Sequence, residues 1–254
     1  MNNNIPKTTV LAYHNILHRG ALPTQDKGCI PLERLDEHIQ VMNDEGYVNI
    51  SFQEAFDRLI QDDDYSAELS YAITFDDGYQ NLFTYLPELL DKIKPTIFHI
   101  TEYTGKSNLT WNTRTPVIQN HLTLEQIICL NEKGVDIQFH GVDHHNLLKF
   151  DDSKLHYRFQ KGVDWFQKYL HKKPKFISYP YGYCDARITK IAAQYFSGGV
   201  TVTHGAWRGS AAKHALNRIS VPFYLTGKNL VNVIRTPPAK RWMKNEQYAP
   251  WRRK

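Results

Sequence analysis

The chain has 254 residues, 41% hydrophobic and 22% charged, which suits a globular protein built as one α/β barrel or two small domains. Its apolar runs are a few residues long, far short of the roughly 20 that a membrane-spanning helix needs. Cys29, Cys129 and Cys184 form no CxxC pair and point to neither a disulfide framework nor a thiolate zinc site. The net charge of +5 is uneven, because residues 240–254 hold six basic side chains and one acid while the rest is neutral. A neutral body argues against a nucleic-acid partner.

In chain order, strand-like runs occur at TTVLAY (8–13), YAITF (71–75), TIFHI (96–100), VDIQF (135–139), FISY (176–179) and GVTV (199–202). Helical stripes lie between them. Leu32, Leu35, Ile39 and Met42 share one face of a helix that Gly46 stops, and Ser51 with Glu54 has the spacing of a capping box for a helix carrying Ala55, Leu59 and Ile60. Leu82, Leu86, Leu89 and Ile93 predict a third helix ending before Pro95. Leu124, Ile127, Ile128 and Leu130 predict a fourth, and Leu155, Phe159, Val163, Phe166 and Leu170 a longer fifth. Alternation of strands and helices implies right-handed βαβ units around a mainly parallel sheet. No linker divides the chain, so we expect one domain over 1–239 followed by a basic, aromatic tail over 240–254.

Polar clusters fall where these strands end, the place where a barrel carries its chemistry. Asp76 and Asp77 follow YAITF, His140 follows VDIQF, and Tyr181 and Gly182 follow FISY. Two adjacent carboxylates repel one another and call for a cation, a shared proton or water. HGVDHH (140–145) supplies imidazoles at His140 and His144, with His145 as a spare. Two imidazoles and one carboxylate around a divalent ion leave positions open for water and substrate, as hydrolytic sites require. The neighbouring aspartate is then available to take a proton.

TFDDG (74–78), the H-x-x-x-H of HGVDH (140–144) and YPYG (179–182) together resemble the first three motifs of the polysaccharide deacetylase family, the NodB homology domain of carbohydrate esterases. The likeness extends from YHNI (13–16) through KPTIFHI (94–100) and LTLEQI (122–127) to NRISV (217–221) and is strongest to the branch acting on poly-N-acetylglucosamine. It implies a distorted (β/α) barrel, Asp76 as base, Asp77, His140 and His144 as metal ligands, and the Tyr181 backbone N–H as an oxyanion donor. Three positions depart from the family pattern. Gly141 replaces a Ser or Thr. Ser178 replaces an arginine that pairs with the base, a role that Arg218 or Arg208 is placed to fill. Ser220 replaces the histidine that serves many members as general acid. Candidates to protonate the leaving amine are His14, His204 and His214, with His14, at the end of the first strand, first among them and placed to touch substrate. Tyr13, Trp111 and Trp207 are candidates to stack on a sugar face.

The expected activity is a metal-dependent hydrolase that removes an N-acetyl group from an amino sugar of a glycan or glycan precursor. Zinc is the expected cofactor, with cobalt or nickel also suited to an Asp-His-His site. The rival readings are hydrolysis of a small non-sugar amide or cyclic imide on the same scaffold, and a carbohydrate-binding module that has lost turnover. The amino terminus, MNNNIPKTTV, has neither a charged n-region nor an apolar h-region, which predicts a cytoplasmic protein. The tail mixes Trp242, Tyr248 and Trp251 with Lys and Arg, a composition suited to peripheral contact with an anionic membrane.

Overall fold

The structure is a computed structural model and describes residues 7–21, 28–60, 68–107, 118–203 and 213–235. Trp111, His204, Trp207, Arg208 and the tail at 240–254 lie outside the described residues. Among the described residues no helix is long and apolar enough to cross a membrane.

Seven parallel strands form the principal path, in the order β10 (Ile219–Ser220), β1 (Thr8–Tyr13), β5 (Leu69–Phe75), β6 (Thr96–His99), β7 (Asp136–Phe139), β8 (Phe176–Ser178) and β9 (Gly198–Val200). The path closes on itself. A parallel bridge joins Val200 to Leu216, Thr201 N donates to the Leu216 carbonyl at 2.8 Å, and Arg218 N donates to the Thr203 carbonyl at 3.0 Å. A short strand β4 (Tyr47–Asn49) pairs with the first half of β5, on a strand that β6 joins only at Thr74 and Phe75. The pair β2 (Asn15–Leu17) and β3 (Cys29–Pro31) stands apart as a two-stranded parallel sheet.

The period of two along each strand separates two cores. Leu11, Tyr71, Ile73, Phe75, Ile97, Ile137, Phe139, Ile177 and Ile219 belong to the outer layer, packed with the helices. Val10, Ala72, Phe98, Phe176, Val200 and Leu216 belong to a second cluster inside the barrel. That cluster is completed by Phe52, Ala55 and Phe56 of α2 (Phe52–Ile60), a helix that plugs the barrel. Phe52 and Phe56 meet Phe176 edge-on at 4.8 Å each, the arrangement the aromatic quadrupole favours.

Helices α1 (Leu32–Asp44), α4 (Leu124–Glu132) and α5 (Asp152–Leu170) follow the expected stripes and bury them, except that Leu124 and Ile128 of α4 are half-buried. The expected helix from Leu82 to Ile93 is cut short. It runs as α3 (Asn81–Tyr85) and then tightens into a 3-10 turn over Leu86–Leu89, because Pro87 has no N–H to continue the α-helical ladder. At α2 the Ser51 hydroxyl accepts from Glu54 N as a cap should, but the Glu54 carboxylate pairs with Arg58 at 3.0 Å. The reciprocal capping box sits instead at α4, where Thr123 and Gln126 bond one another's backbone N–H. The last two helices are α6 (Ala186–Ala192) and α7 (Gly227–Arg235).

Candidate active site

The carboxyl ends of β1, β5, β7 and β8 bring His14, Asp76, Asp77, His140, His144 and Tyr181 to one rim of the barrel. Backbone conformation marks the same place. Among the described residues four non-glycine residues have positive φ, and three of them are Asp77 (72°), His144 (57°) and Tyr181 (59°). Such conformations cost on the order of 1–3 kcal/mol each and persist only where the surroundings enforce them. Gly78 continues the turn at φ 76°, and a Cβ there would lie 2.4 Å from His99 Nδ1, so the turn closes only over a glycine.

Asp76 is buried, and its carboxylate is held by one cation. Arg218, wholly buried, donates from Nη1 to Oδ1 at 2.7 Å and from Nη2 to Oδ2 at 2.6 Å, a bidentate pair. Its remaining N–H groups reach the Thr201 carbonyl, Thr74 Oγ1 and Ser178 Oγ at 2.9–3.1 Å, and its guanidinium lies 5.5 Å from the Phe98 ring centre. All five donors are therefore satisfied, as a buried guanidinium requires. Ser178 accepts from Arg218 and donates to Asp76 Oδ2 at 3.1 Å. The arginine expected on β8 is thus supplied from beside β10, and the small Ser178 leaves it room. Burial favours the neutral carboxyl of Asp76, but the Arg218 and His140 charges and the Arg218 hydrogen bonds outweigh it and hold the pKa at about 2.

Asp77, His140 and His144 form a second group, all buried, whose ligating atoms lie within 4.8 Å of one another. His140 Nδ1 donates to the Ser178 carbonyl at 2.8 Å, which leaves the Nε2 lone pair facing inward. Nε2 of His140 and of His144 lie 3.2 and 3.4 Å from Asp77 Oδ1, an oxygen with no hydrogen-bond partner. A tetrahedral ion with bonds of about 2.0–2.1 Å separates its ligands by about 3.3 Å. The two distances to Asp77 Oδ1 match that separation, and one carboxylate with two imidazoles suits such an ion in chemistry. Burial opposes ionisation of Asp77, yet the two imidazoles hold its carboxyl well below the usual range. Burial also pushes His144 down to about 4, so its ring is neutral and able to ligate at neutral pH.

The loop between the two histidines is anchored through Asp143, which pairs with Arg158 of α5, itself stacked 4.4 Å over Phe150. His145 lies on the outside of that loop, 63% exposed and 3.0 Å from Asp143, away from the ligating atoms. Tyr181 sets its ring 4.5 Å from that of His144 and is 44% exposed at the mouth. Gly141 has φ 83°, a region where the expected Ser or Thr would be strained.

Of the remaining sequence candidates, His14 lies close enough that its charge bears on Asp76, Asp77 and His144. His214 does not join the site, because its Nε2 bonds the Phe196 carbonyl ahead of β9, at the opposite end of that strand. Tyr13 cannot stack on a ligand. It is fully buried and its hydroxyl bonds His38 at 3.1 Å. Sequence reading missed Thr74 and Thr201, which hold Arg218, and buried His99 beneath the Asp77 turn. Thr74 was legible in principle, two residues before Asp76 and on the same interior face.

The family model for polysaccharide deacetylases matches residues 65–196, more than half of the chain. YxkH of Bacillus subtilis (strain 168), by name a polysaccharide deacetylase, is 28% identical over 87% of this chain and 74% of its own. The fold is shared with the Streptococcus pyogenes deacetylase PplD, solved with acetate, at TM-score 0.74 and 24% identity over 91% of this chain and 99% of that one. It is shared likewise with IcaB from Ammonifex degensii, at TM-score 0.75 and 20% identity over 91% and 98%. The closed parallel sheet, the paired aspartates at its rim and the family match agree: the chain belongs to the polysaccharide deacetylase family and has its distorted (β/α) barrel.

Proposed function

We propose that this protein hydrolyses the N-acetyl group of an amino sugar in a glycan, in a reaction that depends on a divalent metal, with zinc the best match to the ligands. The observation that carries the reading is the meeting of Asp77, His140 and His144 at ligating distance beside a separately clamped carboxylate, Asp76. Held by those three residues, a divalent cation supplies Lewis-acid activation of water and of the acyl oxygen. Asp76 takes the proton from the attacking water. Of its roughly four acceptor sites, Arg218 and Ser178 occupy three, and one on Oδ1 stays available. Arg218 also keeps Asp76 ionised throughout the neutral range. The Tyr181 backbone N–H donates to the oxyanion that develops on the substrate. His14, in the place of an acid that Ser220 cannot supply, delivers a proton to the departing amine. The resemblance of the motifs supports an N-acetylglucosamine polymer as the substrate class.

The test is acetate release from a panel of N-acetyl sugars, with and without added zinc, together with metal content across five variants. Asp76→Asn is expected to lose activity by at least about a thousandfold and keep its metal. Asp77→Asn, His140→Ala and His144→Ala are expected to lose both, and His145→Ala neither. Metal loss in Asp76→Asn as severe as in Asp77→Asn would show that the division between base and ligand is wrong.

A further inference from the structure

Asp77, at φ 72°, is the central residue of a three-residue turn in which Gly78 N donates to the Asp76 carbonyl at 2.9 Å. This is the γ-turn with positive φ, which is rare and strained. A side chain carried on such a turn keeps its direction only if the surroundings stop the turn from relaxing. One support is backbone, because Leu122 N donates to the Gly78 carbonyl at 2.9 Å. Another is His99, the last residue of β6.

His99 is fully buried. Its Nε2 lies 2.9 Å from Thr104 Oγ1, and that hydroxyl donates its own hydrogen to the Thr101 carbonyl at 2.8 Å. Nε2 is therefore the protonated nitrogen and Nδ1 carries a bare lone pair. Nδ1 has no hydrogen-bond partner among the described residues and faces Gly78, where an added Cβ would lie 2.4 Å from it. A ring nitrogen without hydrogen is a narrow edge, and the turn seats against it. The indole of Trp165 from α5 packs on the same imidazole, with ring centres 5.5 Å apart. Burial, with the His121 and His140 charges, pushes the His99 pKa down to about 3, so the ring is neutral.

The main chain of His99 holds the second ligand loop. His140 N donates to the His99 carbonyl at 2.9 Å, and Glu102 N continues the contact to the Val142 carbonyl at 2.8 Å. One residue thus meets the turn of Asp77 with its ring and the backbone of His140 with its carbonyl. Resting on the reading that Asp77, His140 and His144 hold a divalent cation, we propose that His99 is a positioning residue for that site. Its imidazole, keyed between Thr104 and Gly78, fixes the Asp77 carboxylate at the spacing the two histidines require. His99 neither ligates nor transfers a proton.

The experiment measures zinc affinity of the metal-free protein by competition with a chromophoric chelator, beside hydrogen exchange of the Gly78, His140 and Gly199 amides. His99→Phe puts a C–H where the bare nitrogen sits and removes the donor to Thr104, and Thr104→Val removes only the acceptor. His99→Gln keeps a neutral side chain with an N–H that reaches Thr104. Zinc affinity is expected to fall about tenfold or more in the first two, the effect of losing an outer partner of a metal ligand, and to stay within about threefold in His99→Gln. The Gly78 and His140 amides should exchange about tenfold faster or more in the first two variants, with no change at Gly199, which bonds the Lys213 carbonyl on β9. Leu35→Ala, a cavity in the outer core, should leave zinc affinity unchanged. A loss below about threefold in His99→Phe and Thr104→Val, or in Thr104→Val alone if His99→Phe fails to fold, overturns the proposal. So does a loss in His99→Gln or Leu35→Ala equal to that in His99→Phe. Should the unaltered protein bind no zinc, the metal reading fails separately, and amide exchange decides. Faster exchange confined to Gly78 and His140 then supports the positioning role, and unchanged or uniformly faster exchange overturns it.

Discussion

Asp76 and Asp77 are neighbours in sequence with opposite surroundings, and the difference follows from one bend in the backbone. Asp76 continues the interior face of β5 with Ala72 and Thr74 and so meets Arg218 inside the barrel. Asp77, at φ 72°, turns out of that line toward His140 and His144. Arg218 is the residue on which the first environment depends. Replacing it with Met leaves a buried carboxylate without its cation, which costs about 3–5 kcal/mol, and raises the Asp76 pKa from about 2 toward or above the ordinary carboxylate range. Chemical denaturation should register that loss, and acetate release should fall by at least about a hundredfold. The exchange Ser178→Arg with Arg218→Ser would return the cation from β8, and we expect it to recover part of the activity that Arg218→Ser alone loses. No recovery, with both proteins folded, would mean that the position of the guanidinium matters beyond its charge.

At the scale of elements, α2 and the loop after β7 do the positioning. Helix α2 closes the barrel's inner cluster with Phe52 and Phe56, beneath the layer in which Arg218 lies over Phe98. Phe56 also fills the space beside Gly198, where an added Cβ would lie 2.3 Å from its ring. Phe56→Ala should therefore leave a cavity and cost about 3–5 kcal/mol. A lower denaturation midpoint with an unchanged m value is expected, and a change of less than about 1 kcal/mol would show that α2 is not a structural plug. In the loop, Asp143 and Arg158 brace the segment between His140 and His144 against α5. Sequence pattern placed these helices well because their apolar stripes are long. The helix from Leu82 failed because Pro87 blocks a backbone bond that a stripe of leucines does not report.

For the whole molecule, parallel strands put the loops of the candidate site at one end, and the closing bonds between Thr201, Thr203 and the segment from Leu216 to Arg218 bring Arg218 across to Asp76. The tail at 240–254, outside the described residues, is a separate question of surface. Its six basic side chains interleaved with Trp242, Tyr248 and Trp251 lead us to propose contact with an anionic membrane, at about 1 kcal/mol per basic residue near the surface. The expected result is salt-sensitive binding to phosphatidylserine-containing vesicles that disappears when 240–254 is removed, while acetate release from a soluble sugar persists. Equal binding by the full and shortened chains, or binding by neither at low salt, would remove the membrane from the account.

The sequence by itself determined the alternating architecture, the strands that end in Asp76, His140 and Tyr181, and the family. Those features are local: a period, a spacing and a short motif are all written within a few residues. Tertiary structure decided which cation stands beside Asp76, because Arg218 is 142 residues away in sequence and reaches it only when the sheet closes. It also brought His144 rather than His145 to Asp77, a choice between adjacent imidazoles that rests on a positive φ and on the brace at Asp143.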